Sequence, residues 1–280
     1  MSVKASTEKN DGGNSVINRD VQQYTITDSV QWVSTWRSLS LSTRYYWGLG
    51  GALDVEKLHN VNGPTTTDTN ERVLGLVGGV DTRREQRLSE GPSQGQQLRL
   101  WAETSNGLGA AYSGNVYRAD WRVYLPLRKT VLALRWNEVY GQKDAEPIEL
   151  GGSDTNESLP LPRMNVREFP LRGYTSGEPV LTGHRARLGT IEWRVPLSDV
   201  DRAVMVPPVG LNRLSMSLFL DIGAAWDQGE SPDYHRGVGI ELLSEPRFGY
   251  LLGLQVRMGI ARGIDGPGET KVYVQLGRSF

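Results

Sequence analysis

Apolar and polar residues alternate along much of this chain with a period of two. Over residues 38–49, Leu39, Leu41, Thr43, Tyr45, Trp47 and Leu49 fall on one side, and Ser38, Ser40, Ser42, Arg44 and Tyr46 on the other. Successive strand side chains point to opposite faces, so the pattern predicts a strand with one greasy and one wet side. The preceding residues behave alike, with Tyr24, Ile26, Val30 and Trp32 set against Thr25, Thr27, Ser29 and Gln31. Further on, Tyr117, Ala119, Trp121, Val123 and Leu125 oppose Arg118, Asp120, Arg122 and Tyr124, and Leu132, Leu134 and Trp136 oppose Arg135 and Asn137. Weaker segments at 72–82, 96–105, 185–197, 214–227, 236–244, 249–261 and 271–280 bring the expected strands to eleven. Asp11-Gly12-Gly13-Asn14 reads as a hairpin turn, and a strand at 2–9 before it makes twelve. No stretch has the period of an amphipathic helix. The segment from about 142 to 183, rich in Gly, Pro and Glu, is too long for a hairpin loop, and such loops usually carry function. Residues 84–96 and 59–70 read as exposed loops.

Alternation alone admits two folds. A soluble β-sandwich turns its apolar face inward, and a membrane β-barrel turns it outward around a polar lumen. Two features favour the barrel. Several strands carry arginines and acids on the polar face with Trp or Tyr near the ends of the apolar one, and the aromatics are mostly Trp (8) and Tyr (11) rather than Phe (4). Both suit an interface that is apolar on one side and wet on the other. No apolar run reaches the ~20 residues of a spanning helix, but barrel strands give a far weaker signal. The N-terminal residues are polar and lack the apolar core of a leader.

Charge and chemistry then narrow the picture. The formal net charge of −1 over 280 residues gives no broad nucleic-acid surface. Cysteine is absent, which removes disulfides, thiolate metal sites and cysteine nucleophiles. His59, His184 and His235 sit in no metal-ligand or triad spacing, and Ser176 lacks a nucleophile-elbow frame. Glycine pairs such as Gly50-Gly51 precede no helix, so they cradle no phosphate. Neither a metal nor another cofactor is expected.

Three segments in the second half carry a resemblance. They are Leu171-Arg172-Gly173-Tyr174 in the long loop, Gly189-Thr190-Ile191-Glu192-Trp193-Arg194-Val195-Pro196-Leu197, and Phe219-Leu220-Asp221-Ile222-Gly223-Ala224-Ala225-Trp226, and the chain ends on Phe280. Together they resemble the bacterial surface antigen family, the barrel domain of BamA-like insertases, TamA-like assembly factors and two-partner secretion transporters. The match covers about residues 130–280, and five expected strands follow the arginine loop, as in the family. The resemblance implies an all-β transmembrane antiparallel up-and-down barrel in the outer membrane of a Gram-negative-type bacterium. It also implies a single barrel domain over 1–280, with 142–183 an extracellular loop folded into the lumen.

The family barrel has sixteen strands and follows periplasmic POTRA modules. Fewer strands are legible here and no such module, so the chain is read either as a C-terminal fragment or as a compact barrel of about twelve strands. By resemblance, Arg172 pairs with acids on the following strands, with Glu192 and Arg194 on one and Asp221 and Gly223 on the next. A guanidinium fork suits a carboxylate, and Gly173 permits close backbone approach. The terminal strand and Phe280 would be read by the outer-membrane assembly machinery. The implied function is non-enzymatic assembly, insertion or translocation of client polypeptides within a lipid bilayer. The alternative is a passive pore, or a barrel anchoring a missing periplasmic or enzymatic domain.

Overall fold

The computed structural model describes residues 2–7, 22–39, 43–60, 67–85, 91–153, 164–204, 209–248, 252–253 and 256–276. Phe280, the proposed terminal signal, lies outside them, as does Leu41. Among the described residues the main path of one antiparallel sheet has twelve strands, with the two-residue segments Arg84–Glu85 and Leu252–Gly253 pairing beside it: β1 (Ser2–Thr7), β2 (Gln22–Leu39), β3 (Arg44–Asn60), β4 (Thr67–Asp81), β5 (Pro92–Thr104), β6 (Asn115–Leu127), β7 (Thr130–Gly141), β8 (Arg185–Val204), β9 (Val209–Trp226), β10 (His235–Phe248), β11 (Val256–Gly263) and β12 (Thr270–Leu276). Each pairs with its chain neighbour, which is up-and-down topology. Among the described residues no pairing joins β12 back to β1.

One expected strand proves to be a hairpin. Leu39 pairs with Arg44, so the chain reverses between them and the alternation over 38–49 belongs to two strands and their turn. The apolar–polar alternation runs on through the sequence, but pairing partners share a face, so odd positions on β2 face with even positions on β3. Leu39 is therefore in register with Arg44, not with Tyr45 and Trp47 as the continuous reading had it. Residues 84–96 are also not all loop, since Arg84–Glu85 pair back onto Pro92 and Gln94. Residues 59–70 contribute to β3 and β4 at both ends.

The faces of the sheet decide between the two folds. Trp47 (61% exposed), Leu76 (55%), Tyr117, Trp121, Trp136, Ile191, Trp193 and Ile260 are exposed. Asp120 (2% exposed), Arg122, Arg135, Asn137, Glu192 (0%), Asp221, Glu241 and Arg257 are buried. On β8 the two sets interleave residue by residue, with Ile191 and Trp193 outward and Glu192 and Arg194 inward. A soluble sandwich would show the opposite parity. The concave face is charged and the convex face apolar, so this sheet is inside-out relative to a globular core.

The concave face is filled by the segment between β7 and β8. Residues 148–150, 168–169 and 182–183 form a small three-stranded sheet of their own. Its apolar side chains Ile148, Leu150, Phe169, Leu171 and Leu181 join Val116, Val139, Ala186, Leu188 and Ala225 from the wall in one buried cluster. This cluster is a conventional hydrophobic core inside an otherwise polar lumen, and it brings the loop arginine to the wall.

Candidate functional site

Leu171 buries its side chain in that cluster, which fixes the backbone of the next residue against the wall. Arg172 then extends over β8, β9 and β10. Its Nε donates to Asp221 Oδ2 at 2.6 Å and its Nη2 to Asp221 Oδ1 at 2.7 Å, a forked pair. Its Nη1 donates to Glu192 Oε1 at 2.9 Å and to Glu241 Oε1 at 3.0 Å. The Arg172 backbone N–H adds a bond to Asp221 Oδ2 at 3.3 Å. The guanidinium carbon lies 3.4 Å from the centroid of the Phe219 ring, a cation–π contact made where water is excluded.

The acids have further partners. Glu192 Oε2 accepts from Arg194 Nε (3.1 Å) and Nη2 (2.9 Å) on its own strand. Glu241 accepts from Arg257 and from the Tyr273 hydroxyl. Three guanidiniums thus face three carboxylates within one buried network. Burial by itself would lower the Arg172 pKa; the carboxylates of Asp221, Glu192 and Glu241 outweigh that and raise it well above its ordinary value. The group is a permanent cation. What it offers is position.

Gly173 explains why the motif places glycine after the arginine. Its φ is 95°, in the left-handed region, and an added Cβ would strike the backbone of Arg262 and Gly263. Its carbonyl accepts from the Glu269 N–H at 2.9 Å. Tyr174 crosses to the turn between β11 and β12: its hydroxyl donates to the Arg236 carbonyl at 2.9 Å and accepts from the Asp265 N–H at 3.2 Å. Burial raises the Tyr174 phenol pKa, which keeps the hydroxyl a donor. From the start of β10, Arg236 bonds the carboxylate of Asp265 in that turn through Nε (3.1 Å) and Nη2 (2.7 Å) and holds its pKa at about 2. Gly223 makes room in the wall, since a Cβ there would lie 3.1–3.3 Å from methyl carbons of Leu150, Leu188 and Leu171.

All the residues singled out in the loop and its two following strands therefore meet at one place. Arg194 touches Glu192 rather than the loop. Glu241, Arg257 and Tyr273 were not anticipated, nor was the ring contact of Phe219. The one signal for Glu241 and Arg257 is parity, because each is a charge on the inward-facing rows of β10 and β11.

A second attachment lies on the far wall. Arg167 Nη1 donates to Glu103 Oε2 at 2.8 Å, and its Nε lies 3.3 Å from Glu146. The Asn165 N–H donates to Glu103 Oε1 at 3.2 Å. Met164 is fully buried among Ala52, Val77 and Trp101. Its methyl sits against Gly75, where a Cβ would come within 2.6 Å of it. Arg118 stacks 3.7 Å from the Trp101 ring centroid on the same wall. The loop thus touches strands from β3 to β12, which requires the sheet to curl around it.

No family model matches the chain, and no curated protein matches it in sequence. Among solved structures it is similar to BamA from Haemophilus ducreyi, in a crystal structure lacking POTRA domains 1–3. The sequence identity is 15% and the TM-score 0.53, over 91% of this chain and 53% of the other. The chain therefore spans about half the length of that protein. At this identity the likeness is one of fold, and the fold of this chain is the BamA-like β-barrel.

Proposed function

We propose that the protein is an integral outer-membrane barrel of the assembly and translocation type, which acts without chemistry of its own on client polypeptides. The observation that carries this reading is the loop held across an inside-out sheet by the buried Arg172 network. A convex face of Trp, Tyr, Leu and Ile matches acyl chains, and strands of 12 to 20 residues from β2 to β10 exceed the ~10 that a tilted strand needs to cross a bilayer. A loop that fills the lumen argues for a gated or structural interior rather than an open pore, which disfavours the passive-channel alternative. In the resembling family the matched arginine loop belongs to barrels that insert or export proteins. In this reading Arg172 locks the loop in one position and so sets the barrel's working shape.

The test uses the full chain reconstituted in vesicles. It should accelerate the folding of a urea-denatured outer-membrane β-barrel client above the rate in empty vesicles, and Arg172→Ala should abolish that acceleration. In planar bilayers the parent should show low steady conductance. No acceleration by the parent overturns the assembly function and leaves an anchor barrel, whereas large steady conductance makes the protein a pore.

A further inference from the structure

The convex wall carries a second pattern, which shares only Arg236 with the attachment of the loop. On β8 the outward positions Ile191 and Gly189 are followed toward the loop end by Arg187 and Arg185. On β10 Ile240 and Val238 are followed by Arg236, and on β11 Met258 and Ile260 are followed by Arg262. Three strands thus show the same order, with apolar positions first and arginine at the end nearest the long loop. Two of these arginines lie on aromatic rings. The Arg185 guanidinium is 4.7 Å from the Tyr140 centroid, and that of Arg187 is 5.6 Å from Trp136 and 5.8 Å from Trp226. Glu138 holds Arg187 by two bonds of 2.7 Å, and Asp265 holds Arg236. Arg262 bonds the Thr270 hydroxyl at 2.7 Å. The guanidiniums are therefore positioned rather than loose, four cations against two acids within this group.

We infer that Arg185, Arg187, Arg236 and Arg262 form a belt that binds the phosphate headgroups of anionic lipids at the loop end of the barrel. The inference rests on the bilayer reading of the convex face. A guanidinium carries five N–H donors and is weakly hydrated, so Arg185 and Arg262, and the donors that Glu138 and Asp265 leave on Arg187 and Arg236, can meet phosphate oxygens. Their stems lie along apolar surface while the charged ends reach the headgroup level, and the rings beneath them suit the same depth. Each arginine near a membrane surface adds measurable attraction to anionic lipid, so four on three strands within one four-strand stretch of the wall give a preference rather than mere tolerance.

The chain has no cysteine, so one label can be placed cleanly. Ile264→Cys puts a fluorophore beside Arg236 and Arg262, and Leu98→Cys puts one on an apolar part of the convex wall. Both are read in phosphatidylcholine vesicles containing about one third phosphatidylglycerol, with bromine carried on either lipid. At position 264, quenching per brominated lipid should favour phosphatidylglycerol by about twofold or more. That preference should shrink toward unity near 1 M salt, where the screening length is about 3 Å. At position 98 the two lipids should quench alike. The quadruple Arg→Gln variant should lose the preference, while the quadruple Arg→Lys variant, which keeps the charge and controls for folding, should retain most of it. Equal quenching by the two lipids at position 264, or a preference surviving Arg→Gln, overturns the belt and leaves the bilayer reading intact. No quenching at either position by either lipid overturns both.

Discussion

The loop is fastened to opposite walls by different means. At Arg172 the hold is electrostatic: one guanidinium satisfies three buried carboxylates on three strands and lies on a ring. At Met164 and Arg167 the hold is a thioether in an apolar notch beside an arginine that reaches one wall acid, Glu103, and one loop acid, Glu146. The first fixes direction, because a planar fork accepts only one approach. The second fixes depth, because a flexible methionine fills whatever gap the wall leaves. Held at one wall alone, the segment could swing; held at both, it becomes a brace across the lumen.

The largest effect that can break this comparison is expected at Arg172. Arg172→Ala leaves carboxylates buried without their shared cation, at a cost of about 3 to 5 kcal/mol in urea unfolding from detergent or vesicles. Arg172→Lys should recover little of it, since an ammonium cannot make the fork. A double-mutant cycle with Asp221→Ala should show strong coupling. The same cycle on Arg167 and Glu103 should give a smaller value, about 1.5 to 3 kcal/mol, the range for a hydrogen bond to a charged group. Equal coupling at the two sites would remove the distinction between them.

Next in size is Met164→Ala, expected to cost about 2 kcal/mol, the low end for a buried methionine because lumen water can enter. Gly75→Ala should strike both Met164 and the Ala102 carbonyl, so combining it with Met164→Ala should cost less than their sum by the Met164 share alone. Full additivity would mean that Met164 does not sit on Gly75. Gly173→Ala should cost about 1 to 2 kcal/mol for the left-handed backbone alone, plus whatever the clash with Gly263 adds. It should reduce proteolytic protection around residue 172 while leaving residue 164 protected. Loss of protection at both would show that the two attachments act as one.

The smallest effect is on pH. Asp265 has a folded pKa held at about 2 by Arg236, below the ordinary carboxylate value. Its contribution is therefore fully present above pH ~4 and is lost as pH falls toward 2. Unfolding midpoints should decline over that window, and Arg236→Gln should flatten the decline. A decline of the same slope in Arg236→Gln would assign it to other carboxylates.

The contrast between the two walls also separates what the sequence could convey. Arg172, Gly173 and Tyr174 are contiguous, and their acceptors Glu192 and Asp221 follow within fifty residues in recognisable strands. Glu241 and Arg257 are visible only as inward-facing charges, because parity assigns a face but not a neighbour. Met164 and Arg167 were not legible at all. Their wall partners precede them by more than sixty residues, and the notch exists because Gly75 lacks a side chain, which alternation cannot register. The same blindness runs β2 and β3 together, because the alternation of the sequence continues from 38 to 49 while the pairing of Leu39 with Arg44 switches the facing. Strand identity and facing came from short-range periodicity, whereas the filling of the lumen depends on contacts between distant segments.

The strict parity of β8 also makes strand registration self-correcting. A slip of one position against β7 or β9 would turn Glu192 and Arg194 toward the convex side and Ile191 and Trp193 toward the charged interior. In a bilayer each misplaced charge at mid-depth carries a penalty of roughly 2 to 4 kcal/mol for arginine, and somewhat less for an acid. The error is thus rejected by the solvent around the barrel as well as by the loop within it. The next permitted alternative is a slip of two, which restores the facing but carries Glu192 out of reach of Arg172.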